Sequence, residues 1–230
     1  MKFDIITIFP KAFSYLNESI LKRAQKKGLV EIKIHNLRDF TADRHRKVDD
    51  KSYGGGPGMV MKIEPIIKTI QSVKSQNRKL KAKSLAILLT PAGKQFDNKI
   101  AADLAKNYKN LILICGHYEG IDERVKKVIY DSGIKIQELS IGPCVLTGGE
   151  LPAMILIDAV SRHVPVVLGK KESLEENRLG IGVPVYTRPE VFVRPSSGRG
   201  KKKKEYRVPG VLLSGNHLGI NQWRAKHRKG

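Results

Sequence analysis

Ile141-Gly-Pro-Cys-Val-Leu-Thr-Gly-Gly-Glu-Leu-Pro-Ala-Met154 follows one apolar run and leads into a segment with helical character. A second stretch of the same design, Gly116-His-Tyr-Glu-Gly-Ile-Asp-Glu-Arg124, follows the apolar run Leu111 to Cys115. Glycines at such points allow backbone to approach a ligand closely and to take angles that other residues avoid. Open α/β sheets bind ligands beyond the carboxyl ends of their strands, so two such loops predict one shared pocket. Either loop alone reads equally well as a tight turn; the pair is what carries the inference.

Outward from these loops, strands and helices alternate. Phe3 to Ile8 reads as a buried strand, and Pro10 opens a helix with Phe13, Leu16, Ile20 and Leu21 on one face, capped at Gly28. Val30 to Ile34 alternates like a strand with one wet face. A long polar segment, Arg38 to Met61, encloses Tyr53-Gly-Gly-Gly-Pro-Gly58, and a loop of that length is usually functional. A helix over Pro65 to Val73 is followed by a basic linker, Lys74 to Lys83. Strands at Leu85 to Leu89, Leu111 to Cys115 and Ile134 to Ile141 alternate with helices at Ile100 to Leu104, Val125 to Tyr130 and Leu151 to His163. That order predicts an α/β fold, a parallel sheet covered on both faces by helices.

Charge is the second strong signal. The 230 residues carry a formal charge of +21, and residues 191–230 hold eleven Lys or Arg against one acid, Glu205. A surplus of this size sets up a field that favours a polyanion, and nucleic acid is the natural partner. No apolar run approaches the ~18 residues that span a membrane, and Asp4 and Pro10 interrupt any signal peptide, so a cytoplasmic protein is expected. Cys115 and Cys144 form no Cys-x-x-Cys pair, and the six histidines have no metal-ligand spacing, so no metal site is expected. The Gly54 to Gly58 run does not follow a strand closely and contains Pro57, so it is a poor dinucleotide fingerprint.

Ordered blocks along the chain resemble the bacterial tRNA (guanine-N(1))-methyltransferase family, of the knotted methyltransferase class. They are Phe9-Pro10, Arg38 to Thr41, Val48 to Met59, Gly116 to Arg124, Ser140 to Pro152, Tyr186 to Glu190 and Val211 to His217. The resemblance spans nearly the whole chain. It implies a deep trefoil knot forming the donor site, S-adenosylmethionine as methyl donor, a homodimer, and as acceptor a tRNA with guanosine just after the anticodon. It divides the chain into a methyltransferase domain (1–164), a linker (165–182) and a small basic tRNA-binding module (183–230). Carried over by position, the donor-binding residues are Leu89, Thr90, Pro91, Gly116, Tyr118, Glu119, Gly120, Ile141, Gly142, Cys144, Leu146, Gly148, Gly149 and Pro152. Glu119 stands also as a candidate for guanine recognition, against the plainer reading of an exposed loop acid.

The same resemblance implies an arginine at the end of the knot helix, Arg162, which also complements the negative end of that helix. It further implies an aspartate in the linker as general base, and here Asn177 occupies that position. A neutral amide is a very weak base. Three explanations compete: Glu176 or Glu175 serves instead, Arg162 with Mg2+ activates the acceptor without a dedicated base, or the chain retains RNA binding with weak or lost catalysis. The glutamate is the favoured reading. The second departure is a basic stretch between Arg194 and Arg207 in a chain whose relatives continue past the Trp223-Arg224 pair; it is read as supplying phosphate contacts in place of further helices. A ribose methyltransferase and a nicotinamide dehydrogenase are the remaining rivals. The blocks at Tyr53–Gly58 and Tyr186–Glu190 argue against the first, and the missing fingerprint against the second. Linker residues 169–182 are expected to be disordered without RNA.

Overall fold

The computed structural model describes residues 1–77, 83–169, 174, 182–194 and 204–228. The chain divides into two compact units, Met1–Gly169 and Lys170–Gly230.

The first unit is built on a five-stranded sheet, all of it parallel: β1 (Lys2–Thr7), β2 (Glu31–Asn36), β5 (Ser84–Gln95), β6 (Asn110–Cys115) and β7 (Lys135–Ser140), in the order β2-β1-β6-β5-β7. β1 and β6 are nearly all apolar because the sheet is covered twice. Phe3, Ile5, Ile87, Leu111 and Leu113 point to one side, where they meet a 3₁₀ helix (Pro10–Asn17), α1 (Ser19–Lys26), α3 (Asn98–Asn107) and α5 (Glu150–Arg162). Ile6, Ala86, Leu88, Ile112 and Ile114 point to the other, against α2 (Ile63–Asn77) and α4 (Arg124–Asp131). The two-residue period of each strand thus supplies both cores.

Asp4 is the polar exception inside β1. Its carboxylate is buried and accepts from His35 Nε2 at 2.8 Å and Asn77 Nδ2 at 3.0 Å, with Lys2 Nζ at 3.5 Å. Burial works against the charged form, but His35, Asn77 and Lys2 outweigh it and hold the carboxyl below the usual aspartate range.

Four expectations need correction. The helix begun at Pro10 does not run to Gly28: it is 3₁₀ as far as Asn17, the chain turns extended at Glu18, and α1 starts afresh at Ser19. Pro10, Phe13 and Leu16 recur every three residues, the period of a 3₁₀ turn rather than an α-helix. The polar segment from Arg38 is not one loop. A short 3₁₀ helix (Leu37–Phe40) begins it, and two-residue strands β3 (Asp49–Asp50) and β4 (Val60–Met61) pair antiparallel within it. α2 continues to Asn77, four residues beyond Val73, into the expected linker, whose residues 78–82 lie outside the described ones. β5 does not end at Leu89; after a register shift it pairs again with β7 through Lys94 and Gln95, so Thr90 to Gly93 is a bulge.

The second unit, by itself, contains an antiparallel ribbon, β8 (Val191–Arg194) with β9 (Lys204–Arg207), followed by α6 (Gly210–Leu213) and α7 (His217–Lys226). Both ends of the basic insert are therefore paired strands, and its residues 195–203 lie outside the described ones. The linker expectation also falls there, since of residues 170–181 only Leu174 is described.

Candidate active site

The carboxyl ends of β5, β6 and β7 open into a cavity of about 420 Å³. Gly116 to Ile121 leave β6, Ser140 and Ile141 leave β7, Cys144 to Gly149 lead into α5, and Leu88 to Pro91 come from β5. The two glycine loops are joined directly. Gly149 N–H donates to Gly116 O at 2.8 Å, and His117 forms an isolated antiparallel bridge with Gly148. This junction needs glycine at 149, because a Cβ there would lie 2.6 Å from Cys115 Cα and 2.9 Å from Gly116 N.

The β3–β4 segment closes another side. Glu119 N–H donates to Met59 O at 3.0 Å, Met61 N–H to Gly120 O at 2.9 Å and Asp122 N–H to Met61 O at 3.1 Å. Gly58, at φ +85°, lies so close to Glu119 that a Cβ would overlap its side chain. Tyr118 is a non-glycine residue at φ +58°, a conformation that costs roughly 1–2 kcal/mol and that here places a half-exposed ring at the cavity wall.

Of the donor-binding positions carried over above, Leu89, Thr90, Pro91, Gly116, Tyr118, Glu119, Gly120, Ile141, Cys144, Leu146, Gly148, Gly149 and Pro152 all line this cavity. Gly142 does not. It is held in the turn beneath the second loop, accepting from Ser140 Oγ at 2.9 Å and from Cys144 N–H at 2.8 Å. Arg162 also lies outside the cavity wall; it is the last residue of α5, ten residues or ~15 Å of helix beyond Pro152. Glu175, Glu176 and Asn177 lie outside the described residues.

Sequence reasoning missed a charged side of the cavity. Glu123, Glu138 and Lys126 line it with Glu119. Lys126 pairs with Glu123 and, at 3.1 Å, with Glu138; Glu123 foremost, with Glu138, raises the lysine pKa. The wall thus carries three carboxylates against one ammonium, in a protein of charge +21. The spacing of Lys126 from Glu123 was a visible helical i,i+3 pair, but Glu138 could be placed only by knowing that β7 neighbours α4. His117 Nδ1 is a further buried polar atom in the wall, without a hydrogen-bond partner among the described residues.

Beneath the wall, Glu150 is buried at the first turn of α5 and accepts from Thr7 Oγ1 at 2.7 Å, tying that helix to the end of β1. Cys115 is fully buried, and burial, with the Glu150 charge, pushes its thiol pKa well up. Cys144 is exposed in the cavity loop. Among the described residues no group of three or more His, Cys, Asp or Glu is placed to hold a metal ion, and no helix is long and apolar enough to cross a membrane.

Similarity to known proteins identifies the family. Residues 1–230 match the family described as tRNA (Guanine-1)-methyltransferase TrmD. A protein of Dictyoglomus turgidum named tRNA (guanine-N(1)-)-methyltransferase is 52% identical, over 98% of this chain and 84% of its own length. Proteins with the same name from Carboxydothermus hydrogenoformans and Geobacter sulfurreducens are each 50% identical, over 98% and 97% of this chain and 82% and 84% of theirs. A match over the whole length, with half the residues identical, leaves one conclusion: the chain belongs to the tRNA (guanine-1)-methyltransferase family.

Proposed function

We propose that this protein transfers a methyl group from S-adenosylmethionine to ring nitrogen 1 of the guanosine just after the anticodon in tRNA. The observation that carries the reading is the cavity where the two glycine loops meet, acidic in a strongly basic protein. The residues present fit the donor. Leu89, Ile141, Leu146 and Pro152 offer apolar walls for adenine, and the glycine backbone offers hydrogen-bonding groups. Glu119, Glu123 and Glu138 favour a ligand that carries positive charge. When bound, S-adenosylmethionine supplies an electrophilic methyl carbon on a cationic sulfur.

The chain's own part in the reaction is positioning, charge placement and removal of one proton. The acceptor nitrogen bears a hydrogen, and a base must take it as the nitrogen attacks. Glu176 is the proposed base, in place of the amide at Asn177. Arg162 is proposed to offset the negative charge that grows on the guanine oxygen. The proposal includes the family's trefoil knot around the donor site, a homodimer, and RNA binding by the module at 183–230. Exposed Leu151 and Ile155, one turn apart on α5, support a subunit contact on that helix.

The test is transfer of labelled methyl to two tRNA transcripts that differ only in guanosine or adenosine after the anticodon. Label on the guanosine transcript alone is the expected result. Donor binding without label on either would sink the activity. The assignment of the base is tested separately. Glu176→Gln should depress single-turnover methylation, and an unchanged rate alongside an inactive Arg162→Ala would overturn the choice of Glu176.

A further inference from the structure

The wall of the cavity between the glycine loops carries three carboxylates, Glu119, Glu123 and Glu138, against the ammonium of Lys126, a formal −2 in a protein of +21. Neighbouring cations do not reverse that sign. Arg124 is turned onto Asp122, with Nε at 2.9 Å from one carboxylate oxygen and Nη2 at 2.6 Å from the other, and it does not line the cavity. Lys127, next on α4, is exposed and also lies outside the wall.

Lys126 is fixed between two of the acids. Its ammonium donates to Glu138 Oε1 at 3.1 Å and pairs with Glu123, joining α4 to β7. Without it, Glu123 and Glu138 would meet as like charges. The Glu138 side chain is 39% exposed against 80% for Glu123, so water and salt screen it less. A cavity of about 420 Å³ is only ~9 Å across, so each of these charges acts on a charge held inside it.

S-adenosylmethionine and S-adenosylhomocysteine share the adenosine and the amino-acid end. They differ at sulfur, which is a cation in the donor and a neutral thioether in the product. Apolar walls and backbone hydrogen bonds treat the two nearly alike, whereas charge separates them.

We propose that Glu138 and Lys126 set the selectivity of the cavity for cationic donor over neutral product, Glu138 raising it and Lys126 limiting it. The surplus of negative charge attracts the sulfonium and offers the thioether no matching stabilisation, so spent ligand leaves a site that fresh donor fills. The inference rests on the donor reading above and adds what that site selects.

The experiment is isothermal titration calorimetry on the full chain with three ligands: S-adenosylmethionine, S-adenosylhomocysteine and sinefungin, which bears an ammonium where the donor has its sulfonium. Wild type should bind both cationic ligands more tightly than S-adenosylhomocysteine. Glu138→Gln should lower that preference about 2–10-fold, and Lys126→Met should raise it about 2–10-fold. Glu123→Gln should act in the same direction as Glu138→Gln, but more weakly. Lys127→Met removes an ammonium outside the wall and should change the preference by less than about 2-fold. The amino-acid end is common to all three ligands, so its response cancels in the ratio. A packing defect would weaken all three together and leave the ratio unchanged. A preference unaltered in Glu138→Gln and Lys126→Met, or moving the same way in both, would overturn the selector and leave the donor site standing. Sinefungin behaving like S-adenosylhomocysteine would also overturn it, since the preference would then follow the methyl group and not the charge. Wild-type protein that binds none of the three would refute the donor reading and the selector with it.

Discussion

Gly149→Ala isolates the cost of the junction between the two loops. Gly149 has φ −82° and ψ −1°, which alanine adopts freely, so backbone strain plays no part. The cost comes from contact. The new Cβ would lie 2.6 Å from Cys115 Cα and 2.9 Å from Gly116 N, where carbon atoms settle at about 3.5–4.0 Å. Relief requires about 0.9 Å of separation between the start of α5 and the end of β6, both of them backbone in a packed core. Overpacking of this kind costs about 1–3 kcal/mol. The same movement stretches the 2.8 Å bond from Gly149 N–H to Gly116 O, adding about 1 kcal/mol. A loss of about 2–4 kcal/mol lowers the melting temperature by roughly 5–15 °C in a chain of this length. Gly116→Ala is the matched control: its Cβ would meet Ile121 Cγ1 at 3.6 Å, an ordinary contact, and should shift melting by no more than about 2 °C. Both variants alter the cavity wall, so both should weaken donor binding, and only stability separates them. Equal melting temperatures, measured by scanning calorimetry, would refute the reasoning.

Asp4→Asn should destabilise the first unit by about 1–3 kcal/mol at neutral pH, by disrupting the buried network of His35, Asn77 and Lys2. Because the folded carboxyl titrates below its unfolded value, its contribution is full above pH ~4 and is lost as pH falls through the folded pKa. The gap between variant and wild type should therefore narrow in acid; chemical denaturation at pH 7 and pH 3 checks this. Iodoacetamide should label exposed Cys144 and spare buried Cys115, and S-adenosylmethionine should slow the labelling. Labelling of Cys144 at the same rate with saturating donor would place the donor elsewhere. Deleting residues 196–204, which contain five Lys or Arg, should weaken tRNA binding and flatten its dependence on salt, and unaltered binding across a salt series would count against a phosphate-binding insert.

The central strands were legible because β1, β6 and the first half of β5 are buried on both faces and read as largely apolar runs, broken in β1 by Asp4. The loops at 116–124 and 141–149 were legible because glycines cluster soon after the strands β6 and β7. Other features depend on contacts far apart in the chain. Nothing local marks Asp49–Asp50 as a strand; it exists because Val60–Met61 returns beside it and is itself held by Gly120 and Asp122. The Thr90–Gly93 bulge likewise exists because β7 offers Leu139 and Ser140 as second partners for β5. In the basic insert, the run of lysines masked the alternation that pairs Phe192 with Tyr206. Part of the acidic side of the cavity was hidden for the same reason, since Glu138 reaches Lys126 only when α4 packs against β7.

The pairing of β1 with β6 joins Lys2 to Asn110 and Ile6 to Ile114. On a ribosome adding roughly 5–20 residues per second, β1 leaves the tunnel about 5–20 s before its central neighbour exists. Over that interval the first strand has β2 alone beside it, and α5, which covers one face, is still unmade. Neither cavity loop can meet the other until the chain has been synthesised past Gly149, so an intermediate released early would lack this cavity. Parallel sheets closed by such distant partners fold slowly, with apolar strands open to aggregation. For this protein, synthesis order makes the cavity between the two glycine loops one of the last parts of the first unit to form.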